Sequence, residues 1–129
     1  MKIEELMFGN IFGYIDEDKL VPVVVMKIDG QSDIVCLRQS DGHIFNTMID
    51  FLLPIIITDK ILEHNGFEPD GPIYRWTSGE CEVVYWTTDS YLEAQNPAYD
   101  SEIDMPCRSV DRLQNALKIC KIDKKITLP

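Results

Sequence analysis

The sequence offers few of the side chains that most often carry catalysis, since it has only two histidines and four cysteines. A cysteine and a histidine that meet in a folded protein can act as a nucleophile and its base. Two such pairs are Cys36 with His43 and Cys81 with His64. No local motif supports either pair, and a cysteine in an apolar strand is more often a small core residue. We therefore predict that the protein is not an enzyme and assign no catalytic residue.

The spacing of the possible metal ligands gives only weak support for a metal site. A zinc site needs three or four well-spaced Cys or His ligands, and the four cysteines are scattered without a CxxC pair. Asp100, Glu102 and Asp104 alternate, so an extended chain would place all three on one side, where oxygen ligands could hold Ca²⁺ or Mg²⁺. The alternative is a charged edge strand that resists aggregation. We predict no metal site and no cofactor.

An aromatic cluster is expected in the second half of the chain, where two strands form a hairpin. If these side chains are exposed, they form a stacking platform for a base, a sugar or a peptide. If they are buried, they are core residues whose polar tips reach the surface. Arg75 is the only basic residue nearby, which disfavours nucleic acid. The candidate contacts with a partner or ligand are Tyr74, Trp76, Tyr85, Trp86 and Asn115.

The charge balance narrows the class of partner. The chain carries 22 acidic and 12 basic residues, a formal net charge of −10. Phosphate backbones and anionic lipids repel such a chain, so we predict no direct binding to nucleic acid and no membrane association. No apolar stretch approaches the roughly 20 residues of a membrane span. Because the first ten residues lack the features of a secretory signal, we expect reduced cysteines and a cytoplasmic protein.

Residues 1–57 have the pattern of a β-rich lobe. A helical turn is predicted at residues 2–8 before Gly9, followed by strands near residues 10–15, 20–28, 32–38 and 44–49. Asp29 and Gly30 are typical of a two-residue hairpin turn. Pro22 should lie at a strand start or on an edge, because it cannot donate a ladder hydrogen bond. This spacing favours a small barrel-like antiparallel sheet, and an SH3-like barrel is one form it can take.

Residues 58–129 have the pattern of a helix, a hairpin and a second helix. Residues 51–57 read as buried extended chain, after which Thr58 is predicted to cap a short helix that ends at Gly66. The hairpin strands are expected at residues 73–77 and 81–88, and residues 91–105 as a loop with one short strand near residues 101–103. Ser109 is predicted to cap the C-terminal helix. The fold class is therefore α+β, in a single domain over residues 1–129.

Two neighbouring amides of the C-terminal helix have different predicted roles. The apolar positions Val110, Leu113, Leu117 and Cys120 recur at the spacing of one buried helix face. Gln114 borders that face and is expected to bind backbone groups of the β-rich lobe or of the loop before the helix. Asn115 points away from the face, which makes it a candidate contact residue.

Three segments carry motifs in the order in which a known group of proteins carries them. Residues 6–10 read Leu-Met-Phe-Gly-Asn, residues 54–62 read Pro-Ile-Ile-Ile-Thr-Asp-Lys-Ile-Leu before Gly66 and Phe67, and residues 110–115 read Val-Asp-Arg-Leu-Gln-Asn. They resemble the Leu-x-x-Gly-Asn start, the Pro-x-x-Leu-Thr-Glu…Gly-Phe middle and the Val-His-x-Leu-Gln-Asn helix of small uncharacterised proteins from Bacteroides-type gut bacteria and their phages and mobile elements. The chain departs from the group at Asp111, where histidine is common, and at Ile56, where proline is common. The resemblance implies an origin in a phage or mobile element and no particular activity.

The sequence alone favours a non-catalytic protein-interaction or accessory module with a protein partner. Two alternatives remain. One is an acidic mimic of nucleic acid that occupies a DNA-binding protein, and the other is a small enzyme with an unrecognised Cys/His or carboxylate site. The oligomeric state is left open.

Overall fold

The computed structural model of the chain describes residues 9–29 and 31–129 and has an α+β fold dominated by antiparallel sheet. The chain divides into two compact units, the first ending at Ile55 and the second running from Ile56 to Pro129. The assignment of residues 1–129 to a single domain stays a prediction. The predicted helical turn at residues 2–8 and position 30 of the predicted hairpin turn lie outside the described residues.

The first unit is a four-stranded antiparallel meander. Its strands lie in chain order as β1 (Ile11–Asp16), β2 (Lys19–Asp29), β3 (Ile34–Gln39) and β4 (Ile44–Met48). One face of the sheet forms a core because apolar residues alternate along each strand. The core cluster comprises Phe12, Val23, Val25, Val35, Leu37, Ile49 and Leu52.

The predicted antiparallel sheet is confirmed, but its barrel-like closure is not found, because the sheet is open. Within residues 9–29 and 31–55, β1 and β4 are the outer strands and no closed barrel forms. A barrel closes when its first and last strands pair, and on this sheet another segment occupies the edge of β1. The outer edge of β1 pairs instead with Leu53, whose N–H and C=O exchange hydrogen bonds of 2.9 and 2.7 Å with Gly13.

Two further predictions for this unit have different outcomes. Pro22 pairs with Gly13 of β1, and the β2–β3 pairing begins only at Val23. Pro22 therefore lies where β2 has one neighbour, which confirms the edge placement. Residues 51–57 are not buried as predicted, since only Leu52 of that run is buried and Phe51 is 58% exposed. Leu52 belongs to the core cluster and Leu53 pairs with Gly13, so the segment meets the sheet at its edge and leaves most of its side chains partly or fully exposed.

The second unit begins with the predicted helix, α1 (Asp59–His64). The N–H of Ile61 donates to the Thr58 hydroxyl at 3.3 Å, which confirms the N-cap. Gly66 follows the helix with a φ of +84°, a left-handed conformation that glycine adopts without steric cost. Both ends of the helix were therefore predictable from capping chemistry.

A five-stranded antiparallel meander follows α1. Its strands, in chain order, are β5 (Glu68–Asp70), β6 (Ile73–Ser78), β7 (Cys81–Trp86), β8 (Tyr91–Asn96) and β9 (Ser101–Pro106). The predicted hairpin corresponds to β6 and β7. The short strand predicted near residues 101–103 is confirmed as part of β9, but the loop predicted over the rest of residues 91–105 is wrong where β8 occupies it. Their polar residues have low strand propensity, yet Leu92 and Ala94 are fully buried, so packing outweighs propensity.

The last helix, α2 (Val110–Ile119), packs its apolar side against this sheet. Val110, Leu113 and Leu117 are completely buried, as the spacing predicts. The helix starts after Ser109, but the Ser109 side chain makes no capping hydrogen bond. Gln114 does not bind the predicted targets. Its amide donates to the Lys124 carbonyl at 2.9 Å and accepts from the Ile126 N–H at 2.7 Å.

Two further buried amides hold the segment after α2 in the same way. Asn96 donates to the carbonyls of Cys120 and Lys121 at 3.1 and 2.9 Å. Asn65 donates to the Thr127 carbonyl and accepts from the Thr127 N–H, both at 2.8 Å. The start of this irregular segment is bonded to α2, since the Ile122 N–H donates to the Leu117 carbonyl at 2.9 Å, and the side-chain amides satisfy further backbone groups.

Candidate functional site: the open face of the second sheet

The five-stranded sheet of the second unit has two chemically different faces. On β6, Tyr74 and Trp76 lie on the face that α2 covers, and Tyr85 of β7 lies directly opposite Tyr74 on that same face. Trp86 lies on the other face, which we call the open face because α2 does not cover it; its central residues Ile73 and Val84 are buried, and its carboxylates are half-buried or exposed. The predicted aromatic cluster is therefore divided by the sheet, and Trp86 is the only one of its four members on the open side.

The three aromatic residues on the covered face have structural partners. The Tyr85 hydroxyl donates to the Cys107 carbonyl at 2.7 Å, and burial raises the Tyr85 pKa. The Tyr74 hydroxyl donates to Glu63 Oε1 at 3.2 Å; desolvation first and this bond second raise the Tyr74 pKa. The Lys124 ammonium lies 4.8 Å from the centroid of the half-buried Trp76 ring. These contacts favour a packing role for this face.

The register of the open face defines three rows that run across the strands. The first row is Asp70, Ile73, Trp86, Tyr91 and Pro106, the second is Glu68, Arg75, Val84, Glu93 and Asp104, and the third is Thr77, Glu82, Gln95 and Glu102. The first row is apolar and aromatic at its centre. The other two are mostly polar and rich in carboxylates.

The open face is strongly acidic. Within these described strands it carries six carboxylates and one cation, Arg75. The Arg75 guanidinium is already paired, since it lies 3.0 Å from Asp70 Oδ2 and 3.6 Å from Glu82 Oε2. Glu93 and Asp104 share a row with Arg75 but form no ion pair with it, since Val84 of β7 stands between them and the guanidinium is bonded to Asp70 and Glu82. This side of the face therefore has an uncompensated negative charge.

Two carboxylates of the open face lie directly opposite each other on neighbouring strands. Glu93 of β8 lies directly opposite Asp104 of β9 in the ladder, with Glu102 two residues from Asp104 on the same side. Like charges directly opposite one another destabilise a sheet. The Tyr91 hydroxyl donates a hydrogen bond to the Asp104 carboxylate. This bond, followed by desolvation, raises the Tyr91 pKa. Among the described residues Glu93 forms no ion pair, because Arg75 of the same row is bonded to Asp70 and Glu82.

A shallow depression adjoins this acidic region. It has a volume of about 350 Å³ and is lined by Trp86, Asp89, Tyr91 and Glu93. Two aromatic side chains and two carboxylates around one depression suit a lysine or arginine side chain, because the stem packs on the rings and the charge meets the acids. The residue Tyr91, which sequence reasoning did not select, is thus part of the site together with Glu93. Tyr91 and Glu93 share this face because β8 pairs with β7, and the sequence analysis predicted a loop in place of β8.

The histidines and cysteines do not form the pairs that the sequence allowed. Cys36 faces Asn46 on β4, whereas His43 precedes β4 and stacks on Phe45, which faces the core side with Leu37. His64 is exposed at the end of α1, and Cys81 lies near the buried Cys120. Within the part of the chain that the structure describes, no three His, Cys, Asp or Glu side chains could hold a metal ion. Glu102 and Asp104 share a face of β9, while Asp100 lies in the turn before it.

The remaining motif residues lie on α2. Asn115 is half-buried next to the Gln114 amide. Asp111, at the position where the resembled group has histidine, is buried, and its Oδ1 atom has no hydrogen-bond partner. Asn115 is not on the open face, so the structure does not bring it together with Trp86.

The four cysteines are expected to differ sharply in reactivity. Desolvation raises the pKa of the Cys107 thiol to about 12, and burial also raises that of Cys120, while Cys36 and Cys81 are half-buried. The thiolate is the reactive form, so at pH 8 a thiol reagent should modify Cys36 and Cys81 before the other two. Replacement of Cys36 and Cys81 by serine should remove the fast phase of modification by the thiol reagent. Four equally fast thiols in the folded protein would contradict this placement.

Comparisons of the chain with models of known protein families, with curated proteins and with solved structures found no match. None of the described helices is long and apolar enough to cross a membrane. The site is therefore interpreted from its own geometry and charge.

Proposed function

We propose that the protein is a non-catalytic interaction module whose open face binds a basic segment of a protein partner. The observation that carries this proposal is the uncompensated opposition of Glu93 and Asp104 beside Trp86 and Tyr91. A lysine or arginine side chain placed between the two carboxylates would convert a repulsion into two attractions. The free energy of binding would therefore include relief of the repulsion between Glu93 and Asp104, which is present in the free protein.

Charge complementarity determines the class of partner. Phosphate and carboxylate ligands would add a further negative charge to a face with six carboxylates, which disfavours them. Uncharged peptides would gain from Trp86 and Tyr91 but would leave the carboxylates unpaired. A segment rich in lysine or arginine would pack its side-chain stems on Trp86 and Tyr91 and pair its charges with the carboxylates. Electrostatic steering would also speed its association at low salt.

The acidic mimic of nucleic acid is a narrower form of the same proposal. It is favoured by the number of carboxylates on one face, because a DNA-binding protein is one kind of basic partner. The cytoplasmic location is likewise proposed, and the four unpaired thiols agree with a reducing compartment. The origin in a phage or mobile element rests on the motif resemblance and is kept as a proposal on that basis.

The test is the binding of a nona-arginine peptide to the protein and to two matched variants. The face variant combines Glu93→Gln, Glu102→Gln and Asp104→Asn, which removes three charges and one like-charge pair. The control variant combines Asp16→Asn, Glu17→Gln and Asp18→Asn at the exposed end of β1 and in the turn that follows it. Both variants change the net charge equally, so a difference between them reports position.

The face variant should bind the peptide about tenfold more weakly than the wild type, because three ion pairs of a few tenths to 1 kcal/mol each are lost. The control variant should bind within about twofold of the wild type, since its charges lie outside the proposed site. Calorimetric titration at two salt concentrations measures both. Equal weakening by the two variants would reduce the effect to net charge and overturn the proposal.

A further inference from the structure

The outer edge of β4 differs from the other sheet edges of the molecule. A strand edge exposes unpaired backbone groups, and proteins protect such edges with charges, prolines or covering segments. The edge of β1 is covered by Leu53, β5 contains Pro69 between two acids, and β9 contains Glu102, Asp104 and Pro106. The strand β4 reads Ile-Phe-Asn-Thr-Met, without charge or proline, and no segment within residues 9–29 and 31–129 is bonded to its outer edge.

The β4 strand is also self-complementary. In an antiparallel pairing of two copies centred on Asn46, Ile44 lies opposite Met48 of the second copy, and Phe45 lies opposite Thr47. Asn46 then faces its own equivalent, and primary amides can both donate and accept. No charge of the strand meets a like charge, which is unusual in a chain of net charge −10.

The exposed side chains of β4 give such a pairing an apolar component. Ile44 and Met48 are 56% and 50% exposed, and Met48 lies beside Ile34 of β3, itself 39% exposed. In the paired arrangement the row Ile34–Met48 would continue into Ile44 of the second copy. Cross-strand apolar pairs of this kind stabilise antiparallel sheets.

We propose that two copies of the chain associate through their β4 strands, antiparallel about Asn46, to form a continuous eight-stranded sheet. The occupant of this edge is a second copy because the strand complements itself in sequence and lacks charge. The interface belongs to the first unit, so this proposal does not depend on the acidic face of the second unit.

The test begins with the mass of the particle in solution. Sedimentation equilibrium up to about 1 mM chain should show a species of twice 14.8 kDa, since an edge contact is small and therefore weak. Salt should strengthen the association by screening two chains of like net charge. The variant Asn46→Lys should abolish it by placing two cations face to face, while Thr88→Lys, which adds the same charge at an exposed turn of the second unit, should leave it unchanged.

A covalent readout tests the register independently of affinity. Directly opposed residues have Cα atoms about 4.5–5.5 Å apart, a separation that a disulfide spans. The variant Asn46→Cys is made in a Cys36→Ser background, because Cys36 lies directly opposite position 46 in the same chain. It should form a linked dimer when dissolved oxygen takes two protons and two electrons from the facing thiols and becomes hydrogen peroxide, and Thr88→Cys in the same background should not. A monomer at every concentration without cross-linking would overturn the proposal. The proposal would also be overturned if Asn46→Lys left the dimer intact while Leu20→Lys dissociated it, because Leu20 is exposed on the face of the first sheet away from its core.

Discussion

Replacement of Phe12 by alanine is expected to lower the free energy of unfolding of the first unit by about 3–5 kcal/mol. Phe12 is completely buried and is the largest fully buried side chain of its core cluster. The loss combines the transfer of the ring from water with the cavity that the four-stranded sheet cannot collapse to fill. Hydrogen exchange at the amides of Val23 and Val35 measures the loss, because both lie in strands of the same core.

The matched control for this prediction is Ile15→Ala in the same strand. Ile15 is 51% exposed on the opposite face of the sheet, so its replacement should cost less than about 1 kcal/mol. Similar losses for the two variants would mean that the core does not lie on the face that Phe12 occupies.

Replacement of Gln114 by methionine is expected to lower the free energy of unfolding of the second unit by about 2–4 kcal/mol. Methionine preserves the length of the side chain but leaves the Lys124 carbonyl and the Ile126 N–H without their partner. An unpaired buried backbone group costs about 1–3 kcal/mol. Both tryptophans lie in the second unit, so urea unfolding followed by tryptophan fluorescence reports this loss.

Arg112→Met provides the control on the same helix. Arg112 is exposed, and its replacement should change stability by about 0.5 kcal/mol or less. If Gln114→Met costs no more than this control, the segment after α2 is not held by its amide clamp.

The sequence predicted those parts of the fold in which local chemistry determines the conformation. The Thr58 cap, the Gly66 termination and the buried stripe of α2 depend on a few adjacent residues, and all three were right. The barrel-like closure is not found and β8 was missed, because strand pairing depends on distant residues, whereas the antiparallel sheet and the short strand near residues 101–103 were right. The polar residues of β8 have low strand propensity, and burial of Leu92 and Ala94 against the helix compensates for it.

The candidate site was only partly accessible to sequence reasoning for the same physical reason. Trp86 was selected, but Tyr91, Glu93 and Asp104 join it only through the β7–β8–β9 register. Alternation of Tyr91, Glu93 and Gln95 against Leu92 and Ala94 was the available signal for a strand with one polar face. Gln114 was recognised as bordering the core, but its target lies in an irregular segment whose path no periodicity indicates.

The most direct test of the proposed docking face compares the two tryptophans, which lie on opposite faces of one sheet. Their indole N–H signals can be followed by ¹⁵N–¹H NMR while nona-arginine peptide is added at low salt. The proposal predicts that the Trp86 signal shifts progressively and returns on addition of salt, while the Trp76 signal, on the face covered by α2 and Lys124, stays in place. Binding that shifts Trp76 but not Trp86, or that shifts neither, would contradict the assignment of the open face as the docking surface.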